Sequence, residues 1–283
     1  MCKDLNEEKT NEAEKFIRLE NQIKEWAEED ICIAFSGGID SSLLLKLGAK
    51  WTKKHNKICY GVIFVTPLQP RSDLPIAKRV CKECGAEFVI LEFQETENEE
   101  IWNNPIDRCY LCKKYLFEKL KVWAASRQIN YILEGSNEDD KKVYRPGIRA
   151  VEELEIKSPL MEFHFTKREV RKLAGQLGIS VTNRPSQPCM ATRIPYHTKL
   201  DMETLKRLEE GETYLRELGF SIVRARLHDK ILRIEISKEQ MADFLSKRDE
   251  IVNKMKQLGF LYITLDLEGF RSGSMDGGAL ITG

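Results

Sequence analysis

The chain has 283 residues, 42% of them apolar and 32% charged, and its 45 Lys and Arg balance its 45 Asp and Glu. These proportions suit a globular protein with one large domain or a large and a small one, and they lie well away from disordered or membrane compositions. With no global basic field to gain from counterion release, a nucleic-acid substrate is disfavoured. No apolar run approaches the roughly 20 residues of a membrane span, and the start MCKDLNEEKTNEAEKF lacks the apolar core of a signal peptide, so a cytoplasmic protein is expected.

From about residue 10 to 29, Phe16, Ile17, Leu19, Ile23 and Trp26 recur near one face and predict an entry helix. ICIAF (31–35) reads as a short buried strand, SSLLLKLGAKWTKK as a helix and KICYGVIFV as a second buried strand. A helix over DLPIAKRVCKEC, a strand EFVILEF, a Glu- and Asn-rich loop, a helix KKYLFEKLKVWAASR and a strand NYILEGS follow. This alternation predicts an α/β fold, a doubly wound parallel sheet with right-handed crossovers and ligands beyond the carboxyl ends of its strands. After Lys199 the rhythm changes to helix METLKRLEEGETYLRELG, strands SIVRARL and ILRIEI, helix KEQMADFLSKRDEIVNKMKQLG and strand YITLDL, a smaller α+β domain. The three prolines of NRPSQPCMATRIPYHTK mark the junction, which divides residues 1–185 from 186–283.

Ser36-Gly37-Gly38-Ile39-Asp40-Ser41-Ser42 follows the first buried strand and opens a helix. The glycines let the backbone turn tightly against a phosphate, and Ser41 and Ser42 add hydroxyls at the positive end of the helix dipole. No Walker lysine follows, which weakens a phosphoryl-transfer reading; SGGxDS after a first strand instead resembles the PP-loop family, which cleaves ATP between its α and β phosphates. Asp40 is then a candidate Mg²⁺ carboxylate. The plainer reading is a glycine turn with a polar helix cap.

Eight cysteines are many for a chain expected in a reducing compartment, so clustered thiols point to metal or sulfur chemistry. Cys2, Cys32 and Cys59 stand alone, and the last two lie in apolar runs where cysteine acts as a small hydrophobe. Cys81 and Cys84 share a helix face and read as packing residues, with a zinc or regulatory thiol site as the alternative. Cys109 and Cys112 open a predicted helix, where thiolates are favoured, and Cys189 lies in the proline-rich junction. By themselves Cys109 and Cys112 also suit a structural zinc pair; three thiolates suit a 4Fe-4S cluster with one iron left open. His55, His164, His197 and His228 have no metal-ligand spacing.

SGGIDSS, NPIDRCYLCK, EGSNEDD with YRPG, SPLMEF, PCMATRIPY, IVRARLH with RIEI, and TLDLEGFRSGSM occur in the order seen in the LarE family, which the chain resembles over about residues 15 to 276. That family comprises ATP-dependent sulfur transferases that make the thiocarboxylates of the nickel-pincer nucleotide. The resemblance implies that Cys189 handles sulfur. The added Cys109 and Cys112 resemble the branch that holds a 4Fe-4S cluster on three cysteines and passes on an external sulfide, rather than the form that sacrifices its own cysteine. It further implies ATP and Mg²⁺ at Ser36, Gly37, Gly38, Asp40, Ser41 and Ser42, with Gly135 and Asn137 near the nucleotide. Glu134 stands where aspartate is more typical. Asp140 and Arg145 are weaker site candidates, in a loop that also reads as solvated charge.

Arg224 and Arg226 alternate with Val223, Ala225 and Leu227, so both guanidiniums project from one strand face and suit a phosphate or carboxylate; Arg193 is a candidate of the same kind. The expected partners are a small carboxylated nucleotide, a sulfide or persulfide donor and further copies of the chain, the last through the C-terminal domain. The expected reaction is adenylation of a carboxylate with release of pyrophosphate, then sulfur displacing AMP. A tRNA thiolase is the rival enzyme, and a nucleotide- and cluster-binding sensor the rival without turnover.

Overall fold

The computed structural model describes residues 2–94, 98–182, 184, 187–271 and 273–275, with side chains in the first helix from Glu12 onward; the side chain of Cys2 lies outside them. The fold separates into two units. One is drawn from Met1–Thr66, Arg71–Phe93 and Cys109–Ser186, and the other from Pro67–Pro70, Gln94–Arg108 and Gln187–Gly283, for the described residues within those bounds. Unlike a single cut at the proline-rich junction, this division assigns residues 67–70 and 94–108 to the second unit.

In the first unit, α1 (Cys2–Trp26) precedes β1 (Ile31–Ala34), α2 (Ile39–Lys54), β2 (Cys59–Val65), α3 (Asp73–Cys84) and β3 (Glu87–Glu92). The short α4 (Glu99–Trp102) belongs to the second unit; α5 (Arg108–Ala125), β4 (Tyr131–Leu133), α6 (Gly147–Glu153), α7 (Pro159–Glu162) and α8 (Lys167–Gln176) follow it. The four strands run parallel in the order β3-β2-β1-β4. Because side chains alternate across a strand, Ile31, Ile33, Cys59 and Ile63 enter a core with Leu19, Leu44, Val80 and Val170 from α1, α2, α3 and α8. Cys32, Val62 and Ile132 face the opposite way into a second core with Phe117 and Leu120 of α5 and Val151 of α6. Residues buried on both faces explain the near-continuous apolar runs of these strands.

Between 137 and 183 the sequence alone yields no elements, yet α6, α7 and α8 occupy this stretch. Thr166 and Glu169 form a capping box at the start of α8, with Glu169 Oε2 accepting from the Thr166 amide at 2.7 Å. That pattern is the local signal for α8.

The second unit holds α9 (Met202–Glu217), β5 (Val223–His228), β6 (Ile231–Ile236), α10 (Met241–Ser246), α11 (Arg248–Gln257) and β7 (Tyr262–Leu265). β5 and β6 pair antiparallel, and β6 pairs parallel with β7. The single helix expected over 238–259 is broken at Lys247, whose ammonium pairs with Asp243 at 2.8 Å and lies 5.3 Å from the Phe220 ring centroid.

Gly61 lets β2 pass under α3 and α2, because a Cβ there would lie 2.9 Å from Cys81 Sγ and 3.1 Å from Leu45 Cδ1. Gly61→Ala is therefore expected to cost about 1–3 kcal/mol by overpacking, read as a lower urea midpoint at unchanged slope.

Candidate functional site

The phosphate loop takes its shape from two glycines. Gly37 sits at φ +70°, a left-handed conformation costly to any side chain, and a Cβ there would lie 3.3 Å from that of Ala77. Gly38 then turns extended as the N-cap of α2, with no side-chain cap, and its carbonyl accepts from the Ser42 amide at 3.0 Å and the Ser42 hydroxyl at 2.7 Å. Ser36 and Ser41 hydroxyls lie 3.3 Å apart. An uncapped helix start with hydroxyls beside it is an arrangement that binds anions.

β4 ends against this loop. A Cβ on Gly135 would come within 2.9 Å of the Ser41 amide nitrogen, so only glycine allows this approach. Asn137 closes the contact: its Nδ2 donates to Asp40 Oδ1 at 3.3 Å, and its Oδ1 accepts from the Asp139 amide at 3.1 Å. Asp140 Oδ2 returns a bond to the Asn137 amide at 3.0 Å and its other oxygen pairs with Arg145 at 2.9 Å, so these two charges brace the loop itself. Two cations that the sequence did not single out also reach the loop. Lys167, the first residue of α8, bonds Asp40 Oδ2, and Arg184 donates to the Gly37 carbonyl at 3.3 Å while pairing with Asp73 at 2.5 Å. Both lie more than 120 residues from their partners in the loop, beyond any local pattern.

Glu134 is buried at the end of β4. It accepts from Ser158 Oγ at 2.6 Å, the Ser136 amide at 2.9 Å, Ser136 Oγ at 2.9 Å and Lys113 Nζ at 3.0 Å. Burial opposes its charge, but Lys113 and the serine bonds outweigh that penalty and hold its pKa below the ordinary carboxylate value. The Lys113 pair ties the first turns of α5 to β4 and thence to the phosphate loop.

Cys109 is exposed and Cys112 half-buried; three residues apart at the start of α5, they lie near one helix face. Cys32, Cys59, Cys81 and Cys84 lie away from that turn: burial drives the first two thiols up, and pushes Cys81 to about 12 and Cys84 to about 11. Cys81 Sγ instead donates to the Ala86 carbonyl at 3.4 Å, as a packing residue does.

In the second unit Cys189, half-buried, precedes a 3₁₀ turn over Met190–Arg193. Its carbonyl accepts from the Thr192 amide at 3.0 Å, Thr192 Oγ1 at 2.8 Å and Arg193 Nη1 at 3.3 Å. Arg193, expected to offer its fork to a ligand, is fully buried, and Glu212 takes that fork at 2.8 and 2.9 Å. Arg226 is likewise buried, with Glu235 on its fork at 3.1 Å twice and the Thr192 carbonyl on Nη1 at 2.8 Å. Both arginines therefore hold the Cys189 segment in place. Burial lowers the Arg224 pKa to about 10, and its guanidinium lies 5.2 Å from the Phe270 ring centroid. Burial opposes the charge of Glu212, yet Arg193, Arg216 and the Ala225 amide outweigh it and hold its pKa low. Among the described residues, no three His, Cys, Asp or Glu side chains form a ready metal site, and no helix is long and apolar enough to cross a membrane.

A parallel sheet whose first strand runs into this lysine-free loop defines a PP-loop ATP-binding protein, and the family model for a PP-loop domain matches residues 10–142. The chain is 35% identical over 246 residues to the pyridinium-3,5-bisthiocarboxylic acid mononucleotide synthase of Lactiplantibacillus plantarum, covering 87% of this chain and 88% of that protein. Proteins of unassigned activity from Synechocystis (35% over 265 residues; 92% and 97% covered) and Methanocaldococcus jannaschii (32% over 259 residues; 91% and 98% covered) are similar along nearly their whole lengths. The chain belongs to the LarE family and is an ATP-dependent sulfurtransferase.

Two outcomes test the site. Gly135→Ala is expected to weaken ATP binding about tenfold or more by pushing the Ser41 amide out of place, measurable by calorimetry. Glu134 and Glu212 have folded pKa values below their unfolded ones, so their contribution to stability is present above about pH 4.3 and is lost as pH falls through the folded values. Urea midpoints should drop below about pH 4. Glu212→Gln should cost about 3 kcal/mol at neutral pH and flatten that acid limb.

Proposed function

We propose that this enzyme adenylates a carboxylate of a nickel-pincer nucleotide precursor and replaces the activated oxygen with sulfur. The observation that carries this reading is the exposed Cys109 and half-buried Cys112 at the start of α5, tied through Lys113 and Glu134 to the strand end that packs on the phosphate loop. Similarity to a protein whose name states that it makes a bisthiocarboxylic acid mononucleotide supports the same substrate class.

ATP would lay its phosphates on residues 36–42, with Asp40 sharing a Mg²⁺ ion with phosphate oxygens. A substrate carboxylate oxygen attacks the α phosphorus, the bond from that phosphorus to the bridging oxygen breaks, and pyrophosphate leaves an acyl adenylate. The loop amides, Ser41 and Ser42 stabilise charge on the phosphates as it moves toward the leaving group. Sulfide (HS⁻) then attacks the acyl carbon, AMP departs with the C–O bond electrons and the S–H proton is released, leaving a thiocarboxylate.

Cys109, Cys112 and Cys189 are the residues that would hold a 4Fe-4S cluster. Three thiols that are not fully buried, one pair at a helix start and the third on braced backbone, suit that donor set. When bound, such a cluster supplies an iron without a protein ligand where sulfur can be held with no net redox. In the second unit, Arg193 and Arg226 would act by bracing the Cys189 segment through Glu212 and Glu235 rather than by contacting the substrate.

Protein purified without oxygen is expected to contain about four irons and four or more acid-labile sulfides per chain, with Cys189→Ala losing them, and to release pyrophosphate with a carboxylated substrate. Zinc or no metal in both proteins would overturn the cluster, and return Cys189 to a sacrificial sulfur source or Cys109 and Cys112 to a structural pair.

A further inference from the structure

Lys167 stands where the phosphate loop needs a charge and where a metal would need room. The loop carries no Walker lysine, so positive charge for the phosphates has to come from elsewhere in the fold. Lys167 opens the ten-residue α8, and its position is fixed from several sides. Its backbone amide donates to Asp139 Oδ2 at 2.9 Å; Thr166 and Glu169 close the first helical turn; Lys15 pairs with Glu169 at 3.0 Å. The side chain is free of these restraints. About a third exposed (32%), it carries its ammonium onto Asp40 Oδ2, while Asn137 occupies Oδ1.

Both oxygens of the candidate magnesium carboxylate are thus engaged, one of them by a cation. Magnesium binds carboxylate oxygen at about 2.0–2.1 Å in a strict octahedron. Two cations on one carboxylate oxygen repel, so metal and ammonium compete for Asp40. The lysine stem is flexible and its ammonium is a compact point charge with three donors, so it can leave Asp40 without moving α8. A polyphosphate arriving on the loop is the nearest strong acceptor for it.

Resting on the nucleotide reading above, we propose that Lys167 is the resident counter-ion of Asp40, that magnesium arriving with the nucleotide displaces it, and that the freed ammonium then pairs with the phosphate chain. In the empty enzyme Lys167 neutralises a carboxylate that would otherwise repel polyphosphate. In the loaded enzyme it supplies the charge that a Walker lysine supplies elsewhere. Lys167 and Mg²⁺ exchange places on a single carboxylate.

The test is direct binding of a non-hydrolysable ATP analogue to the whole chain by calorimetry, first with a chelator and then with rising Mg²⁺. Lys167→Met is expected to weaken analogue binding without Mg²⁺ about tenfold, because Asp40 is then left unneutralised beside the phosphates. It should also lower the Mg²⁺ concentration for half-maximal enhancement about fivefold or more, because the competitor for Asp40 is gone. Lys167→Arg should restore binding without Mg²⁺, and in an Asp40→Asn background Lys167→Met should no longer change the Mg²⁺ response. An unchanged or raised Mg²⁺ requirement in Lys167→Met, with the analogue still binding wild type, would overturn the exchange alone. Failure of the analogue to bind wild type would overturn the nucleotide reading and the exchange together. Should the Met variant not fold, Lys167→Gln, which removes the positive charge that competes with magnesium, is read the same way.

Discussion

The close approach of β4 to the phosphate loop is the constraint on which the rest of the first unit depends. A strand end within a Cβ's reach of the Ser41 amide places Gly135 and Asn137 against the start of α2. The parallel pairing of β1 with β4 provides that proximity, and a glycine at 135 tolerates it. Any side chain there would separate the strand from the loop, and the contacts of Asn137 with Asp40 would go with it.

Buried charge does comparable work in both units. Glu134 accepts four bonds and joins β4 to α5, the helix with Cys109 and Cys112 in its first turns. Glu212 accepts from Arg193, Arg216 and the Ala225 amide, and so joins α9, β5 and the turn after Cys189. Each carboxylate is stable as an ion only because its partners are complete; removing one partner leaves a buried charge with its desolvation penalty uncompensated. Both cysteine-bearing segments therefore rest on buried ion pairs. A thiol that has to be presented reproducibly to a substrate gains from backbone held this firmly.

The arginines show how a strand pattern can be read correctly and its use missed. Arg224 and Arg226 do share a face, as alternation requires, but the register of β5 with β6 brings Glu235 beside them, opposite Arg224. Pairing of Arg226 with Glu235 follows from that neighbour, which lies on another strand. Arg193, in the turn after Cys189, meets Glu212 of α9 across 19 residues.

Local chemistry was legible in the sequence alone. Buried strands alternating with helices, the glycine turn at 37–38, the hydroxyls at 41–42 and the thiol pair at the start of α5 are all set by neighbouring residues, whose backbone preferences and periodicity need no tertiary partner. The short helices between 137 and 183 were not, because four to ten residues carry too little periodicity, though the capping box of Thr166 and Glu169 announced one of them. Only the tertiary structure decided that Lys167 and Arg184 reach the phosphate loop, that Glu134 holds Lys113, and that Arg193 and Arg226 brace the Cys189 segment. These are charges meeting across long separations in sequence, and their pairing is fixed by which strands lie side by side and which helix ends point inward.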